Sequence, residues 1–245
     1  MKRLVAALAL AIALGVAAYF LLPRLRPATP PAQAPAAVQP ETLTGDALRQ
    51  FEAWYQAQPR FLVPISSDGA AVLIVKFTDY QCPGCAWTHT VYAPVLARWQ
   101  AQHPGAVKLV SKQYPLDTEC NPTVVRTLHP AACEAAIAVL LAGQQRAVME
   151  DWLYAHHESL TTAAVEQAAA TVGHVAIHAR PARTAALNEV QNDAQVGRML
   201  GVSSTPTFFV NGVKLLRDGK LLQPAEFDAA IAYEMRRASP PVSQR

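Results

Sequence analysis

Hydrophobic positions run without interruption from Leu4 to Leu22, almost vanish from Pro27 to Gly45, and only then fall into the short periodic blocks of a folded domain. The first run is 19 residues long, and at 1.5 Å per residue it would reach roughly 28 Å as a helix, close to the hydrocarbon thickness of a bilayer. The stretch that follows, "PATPPAQAPAAVQPETLTG", is dense in proline and alanine and predicts an extended spacer. Beyond it Leu48, Phe51, Trp54 and Tyr55 recur at helical spacing, a core-facing helix that Pro59 stops. A continuous apolar and β-branched run, "AAVLIVKFTDY", predicts a buried strand, and helical spacing resumes through Val91, Val95, Leu96 and Trp99. A second strand is expected in "AVKLVSKQYPL". From about Thr123 to Leu200 the alanine-rich composition predicts helix, broken near "HARPARTA" and ending in a helix with Leu187, Val190, Met199 and Leu200 that Gly201 can cap. In "TPTFFVNGVKLL" two strands flank Asn211-Gly212, a strong hairpin signal, and Pro224 suits the first turn of a last helix. The tail "SPPVSQR" is expected to be disordered. The order of strand, helix, strand, helical block, hairpin and helix predicts an α/β fold, with no internal repeat.

Charge changes the picture at the N-terminus. The net charge is +3 over 245 residues, but Lys2, Arg3, Arg24 and Arg26 precede any acid and leave about −1 for the rest. No basic footprint for nucleic acid exists. Two cations before a long apolar run predict a signal anchor over residues 1–26. Cleavage after the small residues Val16-Ala17-Ala18 is the alternative, although Tyr19-Phe20-Leu21-Leu22 continue the run past that point.

Two of the four cysteines lie in "FTDYQCPGCAW", at the predicted strand-to-helix junction. With Cys82 as the N-cap, Pro83 occupies the first helical position, where its missing N–H is not needed. The sulfur then faces the free N–H groups of Gly84 and Cys85, which favour a thiolate. The helix dipole alone, about 0.3 to 1 kcal/mol, would lower the pKa by less than one unit, so direct donation must supply any larger shift. Cys85, one turn further on, is expected to point at the sheet and resist ionisation, so that Cys82 is the attacked sulfur and Cys85 the resolving one. A zinc ribbon wants a second C-x-x-C, whereas twelve residues separate Cys120 from Cys133; c-type haem attachment wants histidine where Ala86 stands. Cys82, Cys85 and His89 form only a weak metal trio, and no metal or other cofactor is expected.

The pairing of "VKFTDYQCPGC" with a distant "VSSTPTFFVNG" resembles DsbA-like thioredoxin-fold thiol-disulfide oxidoreductases. Within them the chain is most similar to thioredoxin domains associated with vitamin K epoxide reductase-like membrane proteins, a likeness shared by "YPLDTECNP" and "HPAACEAA". The resemblance implies a thioredoxin-like fold over residues 46–237 with a helical insertion at about 119–184, behind a linker at 27–45 and before a tail at 238–245. It implies that Cys82 is the nucleophile, Cys85 its buried partner, Pro206 a cis-proline packed against them, and Thr205 a backbone platform for substrate peptide. Lys76 departs from the pattern, since thioredoxins often carry a buried acid six residues before the nucleophile; the lysine could favour a thiolate or snorkel away. Asp79 is read as a turn residue rather than a proton carrier. Trp87 and His89 are expected to serve surface and packing roles rather than border the substrate groove. Cys120 and Cys133 are expected to form a structural disulfide, the rival being a second, shuttling redox pair.

These readings point to an exported, membrane-tethered disulfide oxidase acting on thiols of substrate proteins through Cys82 and Cys85. The catalytic domain would face the periplasm or exterior, and a vitamin K epoxide reductase-like or other quinone-linked membrane protein would recycle it. Alternatives are a thiol reductase or isomerase, for example in cytochrome maturation, a metallochaperone, or a peptide-binding module without redox chemistry.

Overall fold

A computed structural model describes residues 42–238. The expected signal anchor, its cleavage site and most of the spacer lie outside the described residues, as does the tail after Ala238. No helix among the described residues is long and apolar enough to cross a membrane.

The central strand β1, Val72–Thr78, is buried at all seven positions. Side chains alternate across a strand, so Val72 and Ile74 join one core, with Phe51, Tyr92, Val95, Phe227 and Ile231. Leu73, Val75 and Phe77 join another, with Tyr114, Ala194 and Leu200. A strand covered on both faces reads as the continuous apolar run seen in the sequence. Helix α1, Gly45–Gln56, precedes it, so Gly45 belongs to the domain rather than to the linker.

Helix α2, Pro83–Gln102, carries the chain over to β2, Val107–Gln113, which pairs parallel to β1. Parallel neighbours require such a crossover. The sheet order is β2-β1-β3-β4, with β3 (Thr207–Val210) antiparallel to β1 and β4 (Val213–Lys214) antiparallel to β3. Asn211 and Gly212 form the turn with φ of 43° and 84°, the left-handed values that this two-residue hairpin requires. A small hairpin not predicted from the sequence, β5 (Leu216–Arg217) with β6 (Lys220–Leu221), leads to α7, Pro224–Ala238. Ala238 therefore ends a helix rather than starting the tail.

Between β2 and β3 lie α3 (Ala132–Leu141), α4 (Arg146–Ala155), α5 (Thr162–Thr171) and α6 (Ala182–Met199). Their apolar positions form a third core, which includes Cys82, Cys85 and Tyr80. Helix α6 ends as the sequence predicts: Gly201 has φ of 67°, its N–H bonds Arg198 O, and Val202 N–H bonds Gly197 O, a Schellman cap. Met199, expected among the apolar positions of this helix, is exposed.

The expected helix from Thr123 does not form; helix begins only at Ala132. Pro122 immediately precedes the intervening segment, Pro130 lies within it, and several side chains compete for backbone groups. Asn121 Nδ2 donates to Pro115 O at 2.8 Å, Asn121 Oδ1 accepts Thr123 N–H at 3.0 Å, and Thr127 Oγ1 accepts Thr118 N–H at 3.1 Å. The chain is thus held as an irregular loop.

Candidate functional site

After β1 the chain turns through Asp79, Tyr80 and Gln81. Asp79 Oδ1 accepts Gln81 N–H at 2.7 Å, and Asp79 O accepts Cys82 N–H at 3.2 Å. This local bonding delivers Cys82 to the N-cap of α2 in an extended conformation (φ −80°, ψ 122°), with Pro83 at the first helical position. The sulfur makes no helix-capping hydrogen bond of full geometry, although the Cys85 backbone N–H still favours its thiolate. Its partner is instead Thr205 O, 3.3 Å away.

Cys82 is buried, 7% exposed, and its pKa is brought down to about 6, against about 8.5 for an ordinary thiol. Donation by the Cys85 thiol is the main cause and outweighs burial, which acts in the opposite direction. Thr205 and the Cys85 backbone N–H add to it. The Thr205 hydroxyl is buried and has no other partner, so it is free to donate to a thiolate. Cys85 is 0% exposed and receives Asp79 N–H at 3.4 Å. Burial, followed by the neighbouring Cys82, pushes its pKa well up. One sulfur is therefore poised as thiolate while the other holds its proton.

Gly84 allows the two halves of the site to meet. A Cβ on Gly84 would lie 3.1 Å from Pro206 Cδ and 3.8 Å from Cys82 Sγ. The Thr205-Pro206 peptide is cis, and Thr207 Oγ1 donates to Ser204 O at 2.7 Å just beyond it. Pro206 thus meets the Cys82–Cys85 turn at Gly84.

Lys76 does not snorkel. It is buried under the site, donates to Tyr154 Oη at 3.2 Å and lies 4.8 Å from that ring's centroid. Burial lowers its pKa, while Cys85, Glu150 and Cys82 act the other way. Tyr154 Oη is also 2.6 Å from Thr78 Oγ1, which ties the lysine to the end of β1.

Asp79 holds more than its own turn. Its buried carboxylate accepts Leu116 N–H at 2.7 Å and contacts His129 Nδ1 at 2.8 Å. That contact is the main cause of a raised His129 pKa, and Cys82 adds to it. His129 was missed as a site residue: "HPAACEAA" marked the resemblance, but no spacing rule links a histidine to an aspartate 50 residues earlier. Tyr154 was missed for the same reason.

Trp87 and His89 sit on α2 and, with Pro83, Ala86 and Tyr154, line a cavity of about 510 Å³. They line it on the α2 side together with Pro83, and Trp87 also packs edge-on to Tyr92. His89 Nε2 lies 2.7 Å from Asp151 Oδ1. Among the described residues, no group of three histidine, cysteine or acidic side chains converges as a metal site. Cys82, Cys85 and His89, the weak trio that spacing offered, are not assembled as such a group.

Cys120 and Cys133 are joined by a disulfide, and Cys82 and Cys85 are free thiols. The bridge ties the irregular loop to the start of α3.

Comparison with known proteins places this geometry. Over 153 residues the chain is 28% identical to Na(+)/H(+) antiporter NhaA 1 of Mycobacterium sp. (strain KMS), covering 58% of this chain and 22% of that protein. It is 29% identical over 149 residues to NhaA 3 of Salinispora tropica, covering 58% and 20%. The chain thus spans about a fifth of these curated relatives. Among solved structures, the catalytic domain of Proteus mirabilis ScsC has a TM-score of 0.52 at 21% identity, covering 77% of this chain and 98% of that one. Wolbachia pipientis alpha-DsbA1 has a TM-score of 0.51 at 16% identity, covering 69% and 88%. These similarities show the fold. The thioredoxin family model matches residues 65–232, well over half of the chain, and the chain belongs to that family.

Proposed function

We propose that this protein is an exported, membrane-tethered thiol-disulfide oxidoreductase that passes a Cys82–Cys85 disulfide to the thiols of substrate proteins. One observation carries the reading: the Cys82 sulfur, its pKa brought down to about 6, lies against Thr205 beside the cis peptide to Pro206. A sulfur that is stable as a thiolate is a good leaving group, and a good leaving group makes a disulfide oxidising.

In the oxidised protein, a substrate thiolate attacks Cys82 Sγ. The Cys82–Cys85 bond breaks, and Cys85 leaves with the electron pair and takes a proton, as its high pKa favours. A second substrate thiol loses its proton and attacks the substrate sulfur of the mixed disulfide. Cys82 then leaves as a thiolate, held by Thr205 and by the Cys85 thiol. Two electrons have moved from the substrate to the cysteine pair, and the substrate has gained a disulfide. Re-oxidation needs an electron acceptor, for which we assign a quinone-linked or vitamin K epoxide reductase-like membrane protein. The apolar run Leu4–Leu22 would hold the domain on the periplasmic or outer face beside that partner.

The Cys85→Ala protein tests the reading. It should accumulate mixed disulfides between Cys82 and substrate cysteines, while Cys82→Ser should accumulate none and lose thiol oxidation. Unchanged oxidation of a reduced protein substrate by Cys82→Ser would overturn it.

A further inference from the structure

Next to Thr205 lies a second cavity, of about 610 Å³, that the cysteine chemistry does not use. One wall is the irregular loop closed by the Cys120–Cys133 disulfide; the other is the end of α6 with the Val202–Ser204 segment leading into Thr205. The loop is held firmly. Leu128 N–H and His129 N–H both donate to Leu116 O, at 2.8 and 3.2 Å, and Thr127 Oγ1 donates to Asp117 Oδ1 at 2.9 Å. Yet this ordered loop presents Val125, 99% exposed, and Leu128, 52% exposed. Apolar side chains fixed in water on a rigid loop are a surface that gains by being covered.

Charge identifies what covers it. Arg126 from the loop and Arg198 from the end of α6 line the cavity from its two walls. Arg60, Arg98, Arg146 and Arg183 are each paired with a carboxylate. Arg126 and Arg198 have no such partner among the described residues. Two unpaired guanidinium groups across an apolar floor of Tyr114 and Leu116 suit an extended segment with both acidic and apolar side chains.

We propose that this cavity is the specificity site for substrate proteins: it takes an extended segment, with acidic and apolar side chains, adjacent to the substrate cysteine held at Thr205. The inference rests on the thiol-disulfide exchange reading. A substrate strand lying along Thr205 would run over Ser204 into the cavity, and acidic side chains there would meet Arg126 and Arg198. The disulfide keeps the loop in place for this contact and does not itself exchange.

The test uses two dithiol peptides of equal length, one with aspartate and leucine beside its cysteines and one with lysine and leucine. Each is offered to the oxidised full chain and to an Arg126→Glu/Arg198→Glu double variant. Oxidation of dithiothreitol, which reaches Cys82 without filling the cavity, is followed in parallel. Wild type should prefer the acidic peptide in kcat/KM by about tenfold at low salt, a preference that 0.5 M salt weakens. The double variant should reverse the preference and keep its dithiothreitol rate. Equal kcat/KM for the two peptides, or an unchanged preference in the double variant, would overturn the specificity site. Failure with dithiothreitol as well would refute the exchange reading itself. Binding of the same peptides to a Cys82→Ser/Cys85→Ser protein then reports on the cavity alone: tighter binding of the acidic peptide supports it, and equal binding overturns it.

Discussion

Cys82 Sγ lies 3.3 Å from Thr205 O, so two residues 123 positions apart in sequence share one hydrogen bond at the centre of the site. The helix N-terminus contributes position and the Cys85 backbone N–H, and the side-chain partners of the sulfur contribute most of the chemistry. The pKa of about 6 is reached mainly by the thiol of Cys85, with the Thr205 hydroxyl, not its carbonyl, assisting.

Alkylation of the reduced protein should therefore follow a titration centred near pH 6 for Cys82, with Cys85 almost unreactive up to pH 9. Thr205→Val should move the Cys82 midpoint upward. Because the folded value lies below the ~8.5 of an unfolded thiol, the thiolate stabilises the reduced fold fully above about pH 8.5. That stabilisation declines as pH falls and is gone below about 6. A single alkylation midpoint near that of a free thiol would contradict the arrangement.

Gly84→Ala probes the close approach of α2 to Pro206. The new Cβ would sit 3.1 Å from Pro206 Cδ, so the loop carrying Thr205 must shift by a few tenths of an ångström. The expected outcome is a stability loss of about 1 kcal/mol, together with a raised Cys82 pKa as the Thr205 hydroxyl moves away from the sulfur. Thermal unfolding and alkylation rates measure the two effects separately.

Asp79 and His129 should behave as a pair. Asp79→Ala strips acceptors from the half-buried Gln81 and Leu116 N–H groups and should destabilise the protein by about 2 kcal/mol. The raised His129 pKa gives stabilisation that is full below the unfolded value of about 6.5 and lost as pH rises through the folded one. Urea denaturation of His129→Gln should accordingly show a larger deficit at pH 5 than at pH 9. An equal deficit at both would remove the ion pair from the explanation.

Replacing Cys120 and Cys133 together by alanine should lower stability by about 3 kcal/mol, as expected for a bridge of sequence separation 13. The Cys82 alkylation profile should stay where it was. A parallel loss of dithiothreitol oxidation would revive the shuttling pair in place of the staple.

Much of this was legible in the sequence because it is local. The buried strand β1, the Pro83 helix start, the Asn211-Gly212 turn and the Gly201 cap each follow from a few neighbouring residues. The fit of Gly197 is different: a Cβ there would fall 2.8 Å from the Tyr114 ring, a constraint between α6 and the end of β2 that no local rule contains. The loop before α3 was misread as helix because composition does not reveal that Asn121 and Thr127 take up backbone groups of Pro115, Thr118 and Thr123. The direction of Lys76 was open for a similar reason, since a lysine in an apolar strand is equally consistent with a buried amine until Tyr154, 78 residues away, is in place. Residue type and spacing singled out Cys82 and Cys85, and the family resemblance singled out Pro206; the contacts of His129 and Tyr154 required the tertiary fold.

The most direct measurement is the reduction potential of the Cys82–Cys85 pair, from equilibration of the full chain with a glutathione or dithiothreitol series. A thiolate stabilised at Cys82 favours the reduced form, so a potential between about −200 and −120 mV is expected. A value near −270 mV, that of thioredoxin, would contradict disulfide donation and make the pair a reductant.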